Sequence, residues 1–117
     1  MAVYTGAVLS GSSNGRPIPV AAVATPGTLI HTAPSGSVSF DEVYIWANNV
    51  TTATALLTVE WGGTAVGDQL TNSFPVPPNS LPIPIALGQR VQGAVAIRAF
   101  SATASAINIT GYVNQVR

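Results

Sequence analysis

The sequence predicts an all-β protein, an antiparallel β-sandwich of about eight strands. Three observations carry this. Its most apolar stretches alternate with a period of two, as strands with one buried face do. Turn residues interrupt them every eight to twelve positions. No window repeats apolar residues at i, i+3, i+4 and i+7 with charges between, so no long helix is expected.

Taken in chain order, Tyr4–Leu9, Ile18–Ala24 and Thr28–Thr32 are short candidate strands separated by Gly11-Ser12-Ser13-Asn14-Gly15 and by Thr25-Pro26-Gly27. Phe40–Val50 is stronger, with Val43, Ile45 and Ala47 on one side and Tyr44, Trp46 and Asn48 on the other. Asn48-Asn49 with Thr51-Thr52 supplies the connection to the next strand. There Leu57, Val59 and Trp61 alternate against Leu56, Thr58 and Glu60 until Gly62-Gly63 ends the pattern. Phe74 to Pro84 holds five prolines in eleven residues. Proline cannot donate to a ladder, so this stretch predicts an extended crossover or a sheet edge. A long crossover between hairpins is what a Greek-key or jelly-roll sandwich requires. Ile83–Leu87 is a further short strand, Val91–Ala99 alternates as one strand, and Ile107, Ile109, Gly111 and Val113 oppose Asn108, Thr110, Tyr112 and Asn114 in a closing one. Residues 1–27 carry little large apolar mass and are predicted as an extended N-terminal arm, with the sandwich over 28–117.

Charge narrows the function classes. The 117 residues hold 4 Arg, 4 Asp or Glu and no Lys, so 7% are charged against roughly 25% in an ordinary soluble domain. Net charge is zero and no basic run exists, which argues against nucleic acid and acidic membrane surfaces. The longest apolar runs, such as Ile18–Ala24, fall far short of the roughly 20 residues that span a bilayer. The opening Met1–Gly6 lacks the positive start and apolar core of an export signal, so synthesis in the cytoplasm is expected. With 17 Ala and 14 Val dominating the apolar residues, and the surface left mainly to Thr, Ser, Asn, Gln and Gly, nothing repels neighbouring copies. Such a surface suits a subunit covered by other subunits.

No residue constellation points to catalysis. His31 is the only histidine and there is no cysteine, so a zinc site has no ligand set and no disulfide framework exists. Asp41 and Glu42 are adjacent, and adjacent strand residues face opposite ways, so they cannot act as an acid–base pair. No Gly-x-Ser-x-Gly elbow is present, and Gly62–Gly67 lacks the lysine of a phosphate loop. Neither an enzymatic activity nor a cofactor is expected. Asn49-Val50-Thr51 and Asn108-Ile109-Thr110 match the glycosylation pattern at the rate so many Asn and Thr produce by chance. The residues expected at interfaces are Tyr4, Val8, Arg16, Pro17 and Ile18 in the arm, Phe74, Pro75, Pro77 and Pro78 in the crossover, and Trp46. Trp61 shares a face with Leu57 and Val59 and is expected in the core. Trp46 with Tyr44 and Tyr112 is alternatively a platform for sugars.

Thr28-Leu29-Ile30-His31-Thr32-Ala33, Asp41–Asn49, Leu57–Gly63 and Ile107–Asn114, in that order, resemble small virion proteins of tailed bacteriophages, of the capsid cement or decoration type. The resemblance spans roughly residues 5 to 117. It implies a jelly-roll-like sandwich that forms a homotrimer on the outside of the head, contacts the major capsid protein and stabilises capsomer contacts, with an arm reaching across neighbouring subunits. The alternative is a tail-tip or fibre module that binds host-surface glycans.

Overall fold

The computed structural model describes residues 3–117. It contains nine strands: β1 (Tyr4–Val8), β2 (Ile18–Pro19), β3 (Thr28–Thr32), β4 (Phe40–Asn49), β5 (Ala55–Trp61), β6 (Gln69–Val76), β7 (Ile83–Val91), β8 (Ala96–Ser101) and β9 (Ile107–Val116), with one short 3-10 turn at Val66–Asp68. Two antiparallel sheets face each other. The first runs β1-β9-β4-β7, with β2 continuing beside β9, and the second runs β3-β8-β5-β6.

The pairing is nested. β5 pairs β6, β4 pairs β7, β3 pairs β8, and β1 and β2 pair β9. The chain is thus one long antiparallel ribbon, folded over so that β4 also meets β9 and β5 also meets β8. This is jelly-roll topology, reached by two Greek keys. The alternation read from the sequence is the reason. Val43, Ile45 and Ala47 of β4, Leu57 and Val59 of β5, and Ile107, Ile109 and Val113 of β9 are all fully buried between the sheets, and Trp61 packs against that core from its margin.

Three expectations are corrected. Residues 1–27 are extended but are not a free arm over the described positions. Tyr4–Val8 lie in register against Val116–Tyr112, and Leu9, Ile18 and Val20 belong to the core. Three well-placed aliphatics anchor the segment where mean composition suggested none. Second, the run Val91–Ala99 is not one strand. Gly93 and Ala94 adopt left-handed φ values of 67° and 59°, and the turn they make divides β7 from β8. Third, β6 is a strand the sequence pattern hides, because Asn72, Ser73 and Pro75 are poor strand residues. It is an edge strand, which tolerates proline. The predicted crossover is residues 77–82, carrying the chain from β6 in one sheet to β7 in the other.

Part of the outer face of the second sheet is roofed by the chain itself. Ala22 accepts a hydrogen bond from the Ser101 amide (3.1 Å) at the edge of β8. Residues 25–27 then pass over β8 to reach β5. There the Glu60 carboxylate, 1% exposed, accepts bonds from the Thr25 hydroxyl and from the Gly27 amide at 2.7 Å. Gly27 is required by close approach: a Cβ there would lie 2.5 Å from the Ala99 carbonyl oxygen.

Candidate assembly surface

The first sheet has no such roof among the described residues. On its outer side β4 presents Phe40, Glu42, Tyr44, Trp46 and Asn48, the set that alternates with its buried residues. Neighbouring strands add side chains in cross-strand rows. One row is Val8–Tyr112–Tyr44–Leu87, the next Trp46 with Thr110 and Pro84, and a third Gly6–Asn114–Glu42–Arg90. Five of the eight aromatic residues (Tyr4, Phe40, Tyr44, Trp46, Tyr112) thereby come from outward positions of one sheet. Tyr4 and Leu87 are each 61% exposed, Val8 48% and Tyr112 43%.

The rings order one another. Tyr44 and Tyr112 stack at 4.9 Å with 11° between planes, and Trp46 lies 6.1 Å from Tyr112. Cross-strand aromatic pairs of this kind contribute about 0.5–1.5 kcal/mol beyond burial. At the end of the sheet, Arg90 pairs with Glu42 (3.2 Å) and covers the Phe40 ring at 4.6 Å. A shallow cleft of about 460 Å³ opens there beside Ser37, Val38, Phe40 and Arg90.

The interface residues expected from sequence separate into groups. Tyr4, Val8 and Trp46 share this sheet face. Arg16 and Pro17 are exposed in the loop between β1 and β2, and Pro75, Pro77 and Pro78 are exposed on and after β6. The other two lie in or against the core. Ile18 is 5% exposed and sits in the core, and Phe74 packs against the core from β6. Leu87 was missed because its exposure depends on irregular register between β4 and β7.

The polar residues weighed for chemistry are used in holding the fold. His31 Nδ1 accepts the Ser10 amide at 3.0 Å, which puts the ring proton on Nε2, donated to Asp41 Oδ2 at 2.7 Å. Arg117 bonds the other Asp41 oxygen at 2.9 Å. Both imidazole nitrogens are occupied, leaving no lone pair for a general base. Asp41 and Glu42 do face opposite ways, Asp41 to this cluster and Glu42 to Arg90. Among the described residues no group of three or more His, Cys, Asp or Glu could hold a metal ion, and no helix is long and apolar enough to cross a membrane. Of the two glycosylation patterns, Asn49 is 1% exposed, and its amide nitrogen bonds the carbonyls of Ala53 and Val76.

The chain matches no protein-family model, no curated protein and no solved structure.

Proposed function

We propose that this protein is a structural component of a virus particle: a cement or decoration protein, made in the host bacterial cytoplasm, that binds the outer surface of a tailed-phage head as a homotrimer and ties adjacent capsomers through the major capsid protein. One observation carries the reading. A chain with only 7% charged residues presents an aromatic sheet face on which Tyr4, Val8, Leu87 and Tyr112 remain 43–61% exposed. On a freely diffusing monomer such a face promotes unwanted association. Laid against a large scaffold, the same face becomes the contact. Trimerisation multiplies a modest contact, since the second and third copies bind at high effective concentration.

The test uses purified protein and heads that lack it. Wild-type protein should bind the heads to saturation and raise the temperature at which they release DNA. Leu87→Arg, folded by circular dichroism, should leave the shell bare. Absence of wild-type binding, or equal binding by Leu87→Arg, overturns the proposal.

A second reading is a tail-tip or fibre module for host glycans. The convergence of Tyr44, Trp46 and Tyr112 favours it, because the sequence gives no reason for them to meet except a shared site or shared packing. Against it, Tyr44 and Tyr112 each turn a ring face to the other, and stacking a sugar needs a free face. Glycan-array binding lost in Trp46→Ala would support this reading. Copy number in the particle separates the two, hundreds for a shell protein and a handful for a tail protein.

A further inference from the structure

The four sheet edges are not equivalent. The edge of β3 is covered, with the Ile30 carbonyl taken by the Gly11 amide and the Thr32 amide bonded to the Ser10 hydroxyl. The β6 edge carries Pro75 and breaks in register, and the β7 edge carries Pro84, Arg90 and breaks of its own. Proline, charge, bulges and covering segments are how sheets block further pairing. β1, Tyr-Thr-Gly-Ala-Val, has none of them.

The hydrogen-bond phase of β1 shows which groups are free. Val3 and Arg117 exchange both backbone bonds, each at 3.1 Å. Bonded and non-bonded pairs alternate along an antiparallel ladder, so Thr5 and Ala7 bond inward to β9. Tyr4, Gly6 and Val8 therefore point their N–H and C=O groups away from the sheet, and among the described residues no backbone group meets them.

We propose that this edge pairs with β1 of a second copy, antiparallel and centred on Gly6. The sequence is self-complementary in that register. Gly6 lies opposite Gly6 of the partner copy, where no side chain obstructs the twofold axis, and Tyr4 lies opposite Val8, an aromatic–aliphatic cross-strand pair of the favourable kind. All the outward groups of Tyr4, Gly6 and Val8 then find partners. The aromatic face runs on without a break into the second molecule, because Val8 is also the neighbour of Tyr112. The contact is twofold and isologous, so it is distinct from the threefold contact proposed above and does not depend on the phage assignment. In a shell of trimers it links one trimer to the next.

The chain contains no cysteine, so introduced thiols report the register directly. A Cβ at Gly6 meets nothing within 4 Å, and directly opposed bonded residues lie about 5.5 Å apart, inside the range a disulfide spans. Gly6→Cys should form a disulfide dimer at least tenfold faster than Thr52→Cys, an exposed control away from β1. Tyr4→Cys and Val8→Cys should each fail alone and succeed when mixed. Gly6→Pro removes an outward N–H but no bond to β9, and should lower the mass measured by light scattering below that of the wild type while leaving the circular dichroism unchanged. The proposal is overturned if Gly6→Cys crosslinks no faster than the control, if Tyr4→Cys and Val8→Cys do not crosslink on mixing, or if Gly6→Pro leaves the association state as it was.

Discussion

The outer face of β3-β8-β5-β6 is covered in part, over Glu60, by residues 25–27 of the same chain, whereas that of β1-β9-β4-β7 lies open. Under the roof a charged group is fully desolvated, and Glu60 is held by a hydroxyl and a backbone amide. On the open side the charges keep to the end of the sheet, where Glu42 meets Arg90 and Arg90 covers Phe40, while Tyr44, Tyr112 and Trp46 pack on one another. A face that is complete within the monomer satisfies its own polar groups. The open face keeps apolar area exposed, with Tyr4, Val8, Leu87 and Tyr112 all at its surface. Jelly-roll topology allows both treatments, so the difference lies in side chains and not in the fold.

The comparison can be broken from the roofed side with the largest effect. Glu60→Ala leaves the Gly27 amide without its acceptor and empties a buried site, and should cost about 3 kcal/mol of stability, read as a shift in the urea midpoint. A loss under about 1 kcal/mol would mean that the roof is not fastened by this carboxylate. On the open face the effects on stability are smaller. Tyr112→Ala removes a ring stacked on Tyr44 and near Trp46, and should cost about 1 kcal/mol while also weakening association. Leu87→Ser should sharpen the contrast most. Stability should stay within about 0.5 kcal/mol of wild type, as for a surface change with few contacts, while retention on a hydrophobic matrix and binding to heads both fall. If Leu87→Ser destabilised the fold as much as Glu60→Ala, the two faces would not differ as described.

How far the sequence reaches follows from how local the information is. A period of two along Phe40–Asn49 and Ile107–Val113 names the buried residues directly, because side-chain direction is set by the strand itself. The proline run is legible for the same reason, as a property of one residue type. The burial of Glu60 is not: it alternates as an outward residue, and its carboxylate is taken up by Thr25 and Gly27, more than thirty positions away. The pairing of Tyr44 with Tyr112 depends on register between strands 68 positions apart, which no window contains. Residues 1–27 mislead through averaging, since Leu9, Ile18 and Val20 are apolar residues scattered among Gly, Ser and Pro.

The nested pairing also governs the timing of assembly. β9 is the last of the described strands in sequence, yet it lies between β1 and β4, pairing β4 along its whole length and β1 over Tyr112–Val116. Until it arrives, the first sheet has a gap through its middle and the core has no wall on that side. Pairings this remote in sequence carry a large loop-closure cost before any reward and make folding slow. A chain still emerging from the ribosome therefore holds Val43, Ile45 and Ala47 without their β9 neighbours until residues 107–116 have been made.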